Sequence, residues 1–145
     1  MPEDTPSHAG QTLLQMITAG WVAQMISVVA TLGIADLLAD GPKTPAALAG
    51  QTGMHARSLY RVLRALASLG VFAEDARGRF TLTPSADFLR TDVGGSVRAW
   101  AMLVGDTHHR QPWGHLAHSV ATGNDAFREV YGTSNWEYRA RHPEA

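Results

Sequence analysis

Four histidines crowd one stretch of the sequence: His108, His109, His115 and His118. His115 and His118 stand three apart and share a face if the segment is helical. Two imidazoles so placed can bind zinc, but a catalytic zinc takes a third protein ligand. No HExxH motif occurs and Asp106 is the nearest carboxylate. No metal is therefore expected, and the histidines read instead as surface or pocket residues. A second constellation is basic. Arg57, Arg61 and Arg64 recur at i, i+4 and i+7, and Arg77 and Arg79 follow in a turn-rich stretch. On a helix backed by a hairpin, such arginines suit phosphate and base contacts. Opposite a leucine stripe they are equally the solvated face of an amphipathic helix. The acids Glu74 and Asp75 beside them, and a net charge of -1, argue against a polyanion as main partner. Ser7, Ser58 and Ser96 lack the context of a nucleophile elbow. Gly94-Gly95 and Gly132 lack the glycine spacing and preceding buried strand of a nucleotide site. The sequence has no cysteine, which excludes thiol nucleophiles, disulfides and Cys-based metal sites.

A different kind of site is suggested by aromatic and soft side chains gathered late in the chain: Trp100, Met102, Trp113, Phe127, Tyr131, Trp136 and Tyr138. Individually these read as core; together they could wall a pocket for a flat apolar ligand. The elements that must hold them are punctuated clearly. Val97–Val104 reads as one helix, and a segment around Trp113–Ala121 as another, with Pro112 confined to its first turn. Ser134 with Glu137 is a capping box opening a last helix through NWEYRARHPEA.

Upstream, Thr44-Pro45 marks a helix start, with Thr as N-cap and Pro in the first turn. Gly53 separates that helix from Ala56–Leu69, whose apolar stripe is Leu59, Val62, Leu63, Leu66 and Leu69, with Gly70 at the cap. Val71-Phe72-Ala73 and Arg79-Phe80-Thr81-Leu82 flank Asp75-Ala76-Arg77-Gly78 as a hairpin. Thr83-Pro84 opens a further helix. Helices followed by a hairpin form the winged-helix pattern, a helix-turn-helix relative.

The first helix is unusual. Between Asp4 and Asp36 there is no Asp, Glu, Lys or Arg. Gln11, Gln15 and Thr18 fall on one face, whereas Gln24, Ser27 and Thr31 fall on nearly the opposite one. Combined, the two halves are apolar all round, and such a helix must be buried all round. A second subunit is the favoured source of cover; a central core helix within one subunit is the alternative. Polar interruptions and the absence of a flanking basic cluster argue against a membrane span. Met1–Gly10 is polar and acidic, unlike a signal peptide, so a cytoplasmic protein is expected. At 145 residues, 45% apolar and 17% charged, the chain is globular and of single-domain size.

In order, LGIADLLADGPKTPAALAGQTG, SLYRVLRALASLGVF, GRFTLTPSADFLR, SVRAWAMLVGD, WGHLAHSVATG and WEYRARHPE resemble the N-terminal dimerisation domain of S-adenosylmethionine-dependent O-methyltransferases. These are the plant caffeate and acetylserotonin type and their bacterial polyketide-tailoring relatives. The resemblance runs from about Leu13 onward. It implies a mainly α fold: a helical dimerisation domain containing a winged-helix module with a short β-hairpin wing. It also implies three parts: a flexible N-terminus over 1–10, the dimerisation helix plus winged-helix module over 11–95, and an aromatic-rich helical segment over 96–145. The partner is a second copy of the chain, and the ligand a small-molecule acceptor. The resemblance assigns substrate lining to Trp100, Leu103, Trp113, Phe127 and Trp136, and dimer packing to Trp21, Met25, Val28 and Leu32. In that family the α/β domain that binds S-adenosylmethionine, with the histidine general base, would begin after this chain. No catalytic or cofactor-binding residue is therefore expected here. The alternatives are a winged-helix transcription regulator and a stand-alone dimerisation module without catalysis.

Overall fold

The structure is a computed structural model and describes residues 8–143. Residues 1–7, most of the expected flexible N-terminus, lie outside the described residues, and the first helix, α1, runs His8–Thr31. It has the length and hydropathy of a membrane-crossing helix. Its C-terminal turns are instead packed within this chain, where Ser27, Val29 and Ala30 are buried. From its start to Trp21 it leaves Leu13, Leu14, Met16, Ile17 and Trp21 exposed, Trp21 at 71%.

Gly33, at a left-handed φ of 66°, ends α1 and turns the chain into α2 (Ile34–Leu37). The Thr44 side chain accepts from Ala47 N and Pro45 occupies the first turn of α3 (Pro45–Thr52), as the sequence predicts. The His55 ring caps α4 (Ala56–Ser68), which buries Leu59, Leu63 and Leu66. Val62 is half-buried. Leu69, expected on the same stripe, is 55% exposed. It is the C-cap residue, with φ -99° and ψ 3°, so it has left the helical path that set the stripe.

The hairpin forms as expected. Strand β1 (Phe72–Glu74) pairs antiparallel with β2 (Phe80–Leu82), with Phe72 opposite Leu82 and Glu74 opposite Phe80. Lys43 adds a bridge on the other edge of β2, through Lys43 N to Phe80 O at 3.0 Å and the reciprocal 2.8 Å bond. The connecting turn is built on Asp75, whose Oδ1 accepts from Arg77 N at 2.9 Å and Arg79 N at 3.0 Å. The Arg79 N–H above all holds the Asp75 carboxyl below its usual pKa. Thr83 caps α5 (Pro84–Asp87), and its hydroxyl donates to Val71 O at 2.7 Å.

Among the described residues, the buried apolar ones lie between Val29 and Leu89, in and between α1 to α5 and the wing. The remaining helices are α6 (Arg98–Gly105), α7 (Thr107–Gly114), α8 (Leu116–Thr122), α9 (Ala126–Tyr131) and α10 (Asn135–Arg141). None of them contains a buried residue. The helix expected to span Trp113–Ala121 is two helices. Asp106 Oδ1 accepts from His108 N at 2.8 Å and starts α7 six residues before Pro112. The proline therefore falls near the helix end, where its missing N–H soon terminates the ladder, and α8 begins afresh at Leu116.

Candidate functional site

Helix α6 is anchored to the core module by one ionic node. Arg98 donates through Nη1 to Asp36 Oδ2 at 2.7 Å and through Nε to Ala30 O at 2.9 Å. The other Asp36 oxygen accepts from Thr91 N at 2.8 Å and from its hydroxyl at 3.1 Å. So tied, α6 lies along the second half of α1, and the aromatic helices follow from its end.

Helices α6, α7, α9 and α10 enclose a cavity of about 210 Å³. Leu103 from α6, Pro112 and Trp113 from α7, and Phe127 from α9 supply apolar walls, and Tyr138 from α10 completes them. The polar lining is Asp106, His108, His109, Asp125, Asn135 and Arg139. Beside it the rings form a connected cluster. Phe127 and Tyr131 lie 4.7 Å apart between centroids, Tyr131 and Tyr138 5.0 Å, and His108 and Tyr138 4.9 Å. Tilted and edge-on contacts at such separations suit the ring quadrupole, and here they bind α7, α9 and α10 in place of a buried aliphatic core. Burial, then Tyr138 and Asp106, push the Tyr131 hydroxyl above its usual pKa. That proton is donated to Gln111 Oε1.

His108 is fixed by its neighbour. The ring Nδ1 sits 2.9 Å from Asp106 Oδ1. A carboxylate has no proton to give, so Nδ1 carries the hydrogen of this bond. His109 Nε2 accepts from Trp113 Nε1 at 3.4 Å. The arrangement offers apolar walls with hydrogen-bonding groups among them, a combination that small-molecule sites use. Among the described residues no group of three His, Asp or Glu side chains could hold a metal. His118 Nε2 is 3.8 Å from Glu129 Oε2, and neither His115 nor His118 lines this cavity.

Of the five expected lining residues, the cavity brings together Leu103, Trp113 and Phe127. Trp100 and Trp136 do not line it and stand 64% and 82% exposed. Of the expected dimer residues, Trp21 and Val28 are exposed, whereas Met25 and Leu32 are half-buried against this chain's own core. Sequence reasoning left out Asp106, Asp125, Asn135 and Arg139. The first two carry a local signal, because an Asp ahead of a helical run is an N-cap; Asp125 Oδ1 accepts from Phe127 N at 2.9 Å. Nothing local marks Asn135 or Arg139 as facing a cavity. In the winged-helix module, Arg64 is paired with Glu74 at 2.6 Å and Arg79 with Asp75 at 2.8 Å, so two of the five arginines that suggested a DNA reader serve the wing itself.

A helical winged module followed by an aromatic-walled helical segment defines a class, and comparison agrees. The chain belongs to the O-methyltransferase dimerisation-domain family, whose model matches residues 14–92. That stretch contains the whole winged-helix module, and nothing favours the regulator alternative. Phenazine O-methyltransferase PhzM of Lysobacter antibioticus is 49% identical over 133 residues, or 92% of this chain and 39% of that protein. The crystal structure of LaPhzM superposes with a TM-score of 0.87 at 48% identity, covering 92% of this chain and 40% of that one. NcsB1, an O-methyltransferase from neocarzinostatin biosynthesis solved with S-adenosylmethionine and 2-hydroxy-5-methyl naphthoic acid, gives 0.71 at 36% identity. It covers 83% of this chain and 38% of that one. The chain thus spans about two-fifths of the length of the relatives it matches.

Proposed function

We propose that this chain is the dimerising, acceptor-enclosing part of an S-adenosylmethionine-dependent O-methyltransferase acting on a hydroxyl of a small aromatic or polyketide-like acceptor. The observation that carries the reading is the cavity walled by Trp113, Phe127 and Tyr138, in a domain of this family. The naming of phenazine and a naphthoic acid for two relatives supports a flat, fused-ring acceptor. The walls would hold the ring and exclude water, and His108 Nε2 or the His109 ring would orient a polar substituent.

The methyl donor does not fit among these residues. The sheet described is a two-stranded antiparallel hairpin, and Gly94-Gly95 lies between α5 and α6 with no buried parallel strand before it, so the Gly-rich strand-to-helix turn of a dinucleotide-like site is missing. S-adenosylmethionine is proposed to bind a domain outside this chain. The functional unit is a cytoplasmic homodimer in which the exposed apolar face of α1, with Trp21 and Val28, packs on a second copy, supported by Met25 and Leu32 beneath. Trp100 and Trp136, exposed here, remain candidates for contact with the acceptor once further chain encloses it.

Calorimetric titration with 2-naphthol, a plain hydroxyarene, tests the cavity. Phe127→Ala and Trp113→Ala should each weaken binding several-fold, since a ring contact carries about 0.5–1.5 kcal/mol beyond area burial. Wild-type affinity in both variants would refute the assignment. Trp113 is exposed enough for its variant to stay folded if Phe127→Ala does not.

A further inference from the structure

Two carboxylates and one guanidinium line the cavity, and they are not equally occupied. Asp106 Oδ1 already accepts from His108 N and faces the His108 ring, at 2.8 and 2.9 Å. Asp125 Oδ1 caps α9 through Phe127 N at 2.9 Å. Arg139 differs. Its Nε donates to Asn135 Oδ1 at 3.1 Å, one turn back on α10, and no described residue accepts from its two Nη groups. That single bond tethers the guanidinium at Nε and leaves its terminal edge without a partner among the described residues. The side chain is half-buried beside the Tyr138 ring wall, and its Nη atoms stay open to solvent, free to form a charge-assisted pair with a ligand anion.

We propose that Arg139 is a specificity-determining residue that pairs, through its Nη edge, with a carboxylate borne on the aromatic ring of the acceptor. The proposal rests on the acceptor-site reading above and narrows it to hydroxyarene carboxylates. The chemistry fits arginine in particular. Its planar fork matches a carboxylate in two parallel hydrogen bonds, which a lysine ammonium cannot reproduce. Asn135 acts as the positioning residue, holding Nε through its Oδ1 and leaving both Nη groups available. The backbone N–H groups of His108 and Phe127, donated to Asp106 and Asp125, offset part of the repulsion that these carboxylates exert on an anion.

The test is calorimetry at pH 7 on the intact protein with three probes: 3-hydroxy-2-naphthoate, 3-hydroxy-2-naphthamide and 2-naphthol. The acid should bind about tenfold or more tightly than the amide. Arg139→Gln should abolish that gap with little effect on 2-naphthol, and Arg139→Lys should restore part of it. Added salt should weaken the acid alone. Helical circular dichroism confirms that each variant is folded. Equal affinities for acid and amide in the wild type, or a gap that survives Arg139→Gln, would overturn the Arg139 proposal. If Phe127→Ala and Trp113→Ala still weaken every probe, the cavity reading stands without it. No binding of any probe, or no effect of those two variants, would overturn both.

Discussion

The contact on which the site's geometry most depends is the closest approach of α6 to α1. A methyl group added at Gly105 would lie 2.0 Å from Ser27 Oγ and 2.1 Å from Ser27 Cβ. Carbon atoms rest at about 3.5–4.0 Å, so the gap must open by roughly 1.5 Å. Rotating the Ser27 side chain moves Oγ and leaves Cβ in place. The strain must therefore fall on the two helix backbones, and Ser27 is only 5% exposed. Overpacking of this kind costs about 1–3 kcal/mol. It opposes a helix-propensity gain for Gly→Ala of about 1 kcal/mol at most, here at the last residue of α6 and so smaller. Gly105→Ala is expected to lower stability by about 1–2 kcal/mol net.

Gly50 supplies the control. It lies inside α3, and a Cβ there meets nothing within 4 Å. Gly50→Ala should leave stability unchanged or raise it by up to about 1 kcal/mol. Urea unfolding followed by circular dichroism reads both variants on one scale. Adding Ser27→Gly to Gly105→Ala should recover part of the loss, and the double-mutant cycle should show a favourable coupling energy of about 0.5 kcal/mol or more. Equal stabilities for Gly105→Ala and Gly50→Ala, or strict additivity with Ser27→Gly, would refute the close-packing argument.

Three further outcomes are expected. Trp21→Asp or Val28→Asp should convert the proposed dimer to monomer in sedimentation velocity, because a charge would then sit on the exposed apolar face of α1; a monodisperse dimer from both variants would sink the proposal that α1 packs on a second copy. Arg98→Met should cost about 1–3 kcal/mol in the same urea assay, since it strands Asp36 and frees Ala30 O in a partly buried node; a loss below about 0.3 kcal/mol would show the node to be incidental. Glu137 is held at about 2, below 4.5, first by the Thr133 hydroxyl and then by the Ser134 N–H and hydroxyl. A lowered native pKa means that its contribution is complete above 4.5 and lost as pH falls toward 2. Amide NMR shifts of Ser134 and the first turn of α10 should therefore change through that window, and Glu137→Gln should abolish the change.

What the sequence revealed was mostly what a few neighbouring residues decide. Thr44, Thr83 and the Ser134–Glu137 box are caps whose side chains bond within three residues, so their types alone locate α3, α5 and α10. The stripe of α4 and the Asp75 turn are equally local. Pro112 misled because its position was judged without the Asp106 cap: with α7 started at Thr107, the same proline belongs near a helix end. The cavity was legible only in part. Phe127, Trp113 and Tyr138 could be picked out as aromatic groups late in the chain, whereas Leu103 came only from the family resemblance. Arg139 and Asn135 are ordinary surface residues by type, and their facing of a common space is decided by how α10 packs against α7 and α9.

The distribution of burial explains why the two halves differ in this way. Residues of α1 to α5 and the wing share a close core, in which position is dictated by packing density. Helices α6 to α10 have no buried residue of their own, so caps, ring contacts and the α1–α6 seam hold them. The seam ends at Gly105, and the next residue, Asp106, both caps α7 and orients His108. A displacement at Gly105 is thus passed directly to the cavity wall, whereas a change at Asn135 or Arg139 is confined to it. On this construction the helical core fixes where the site lies and the thinly packed aromatic segment fixes what it admits. On the proposed reading, substitutions at Asn135 and Arg139 retune the ligand at little cost to the fold, while those at the seam alter both together.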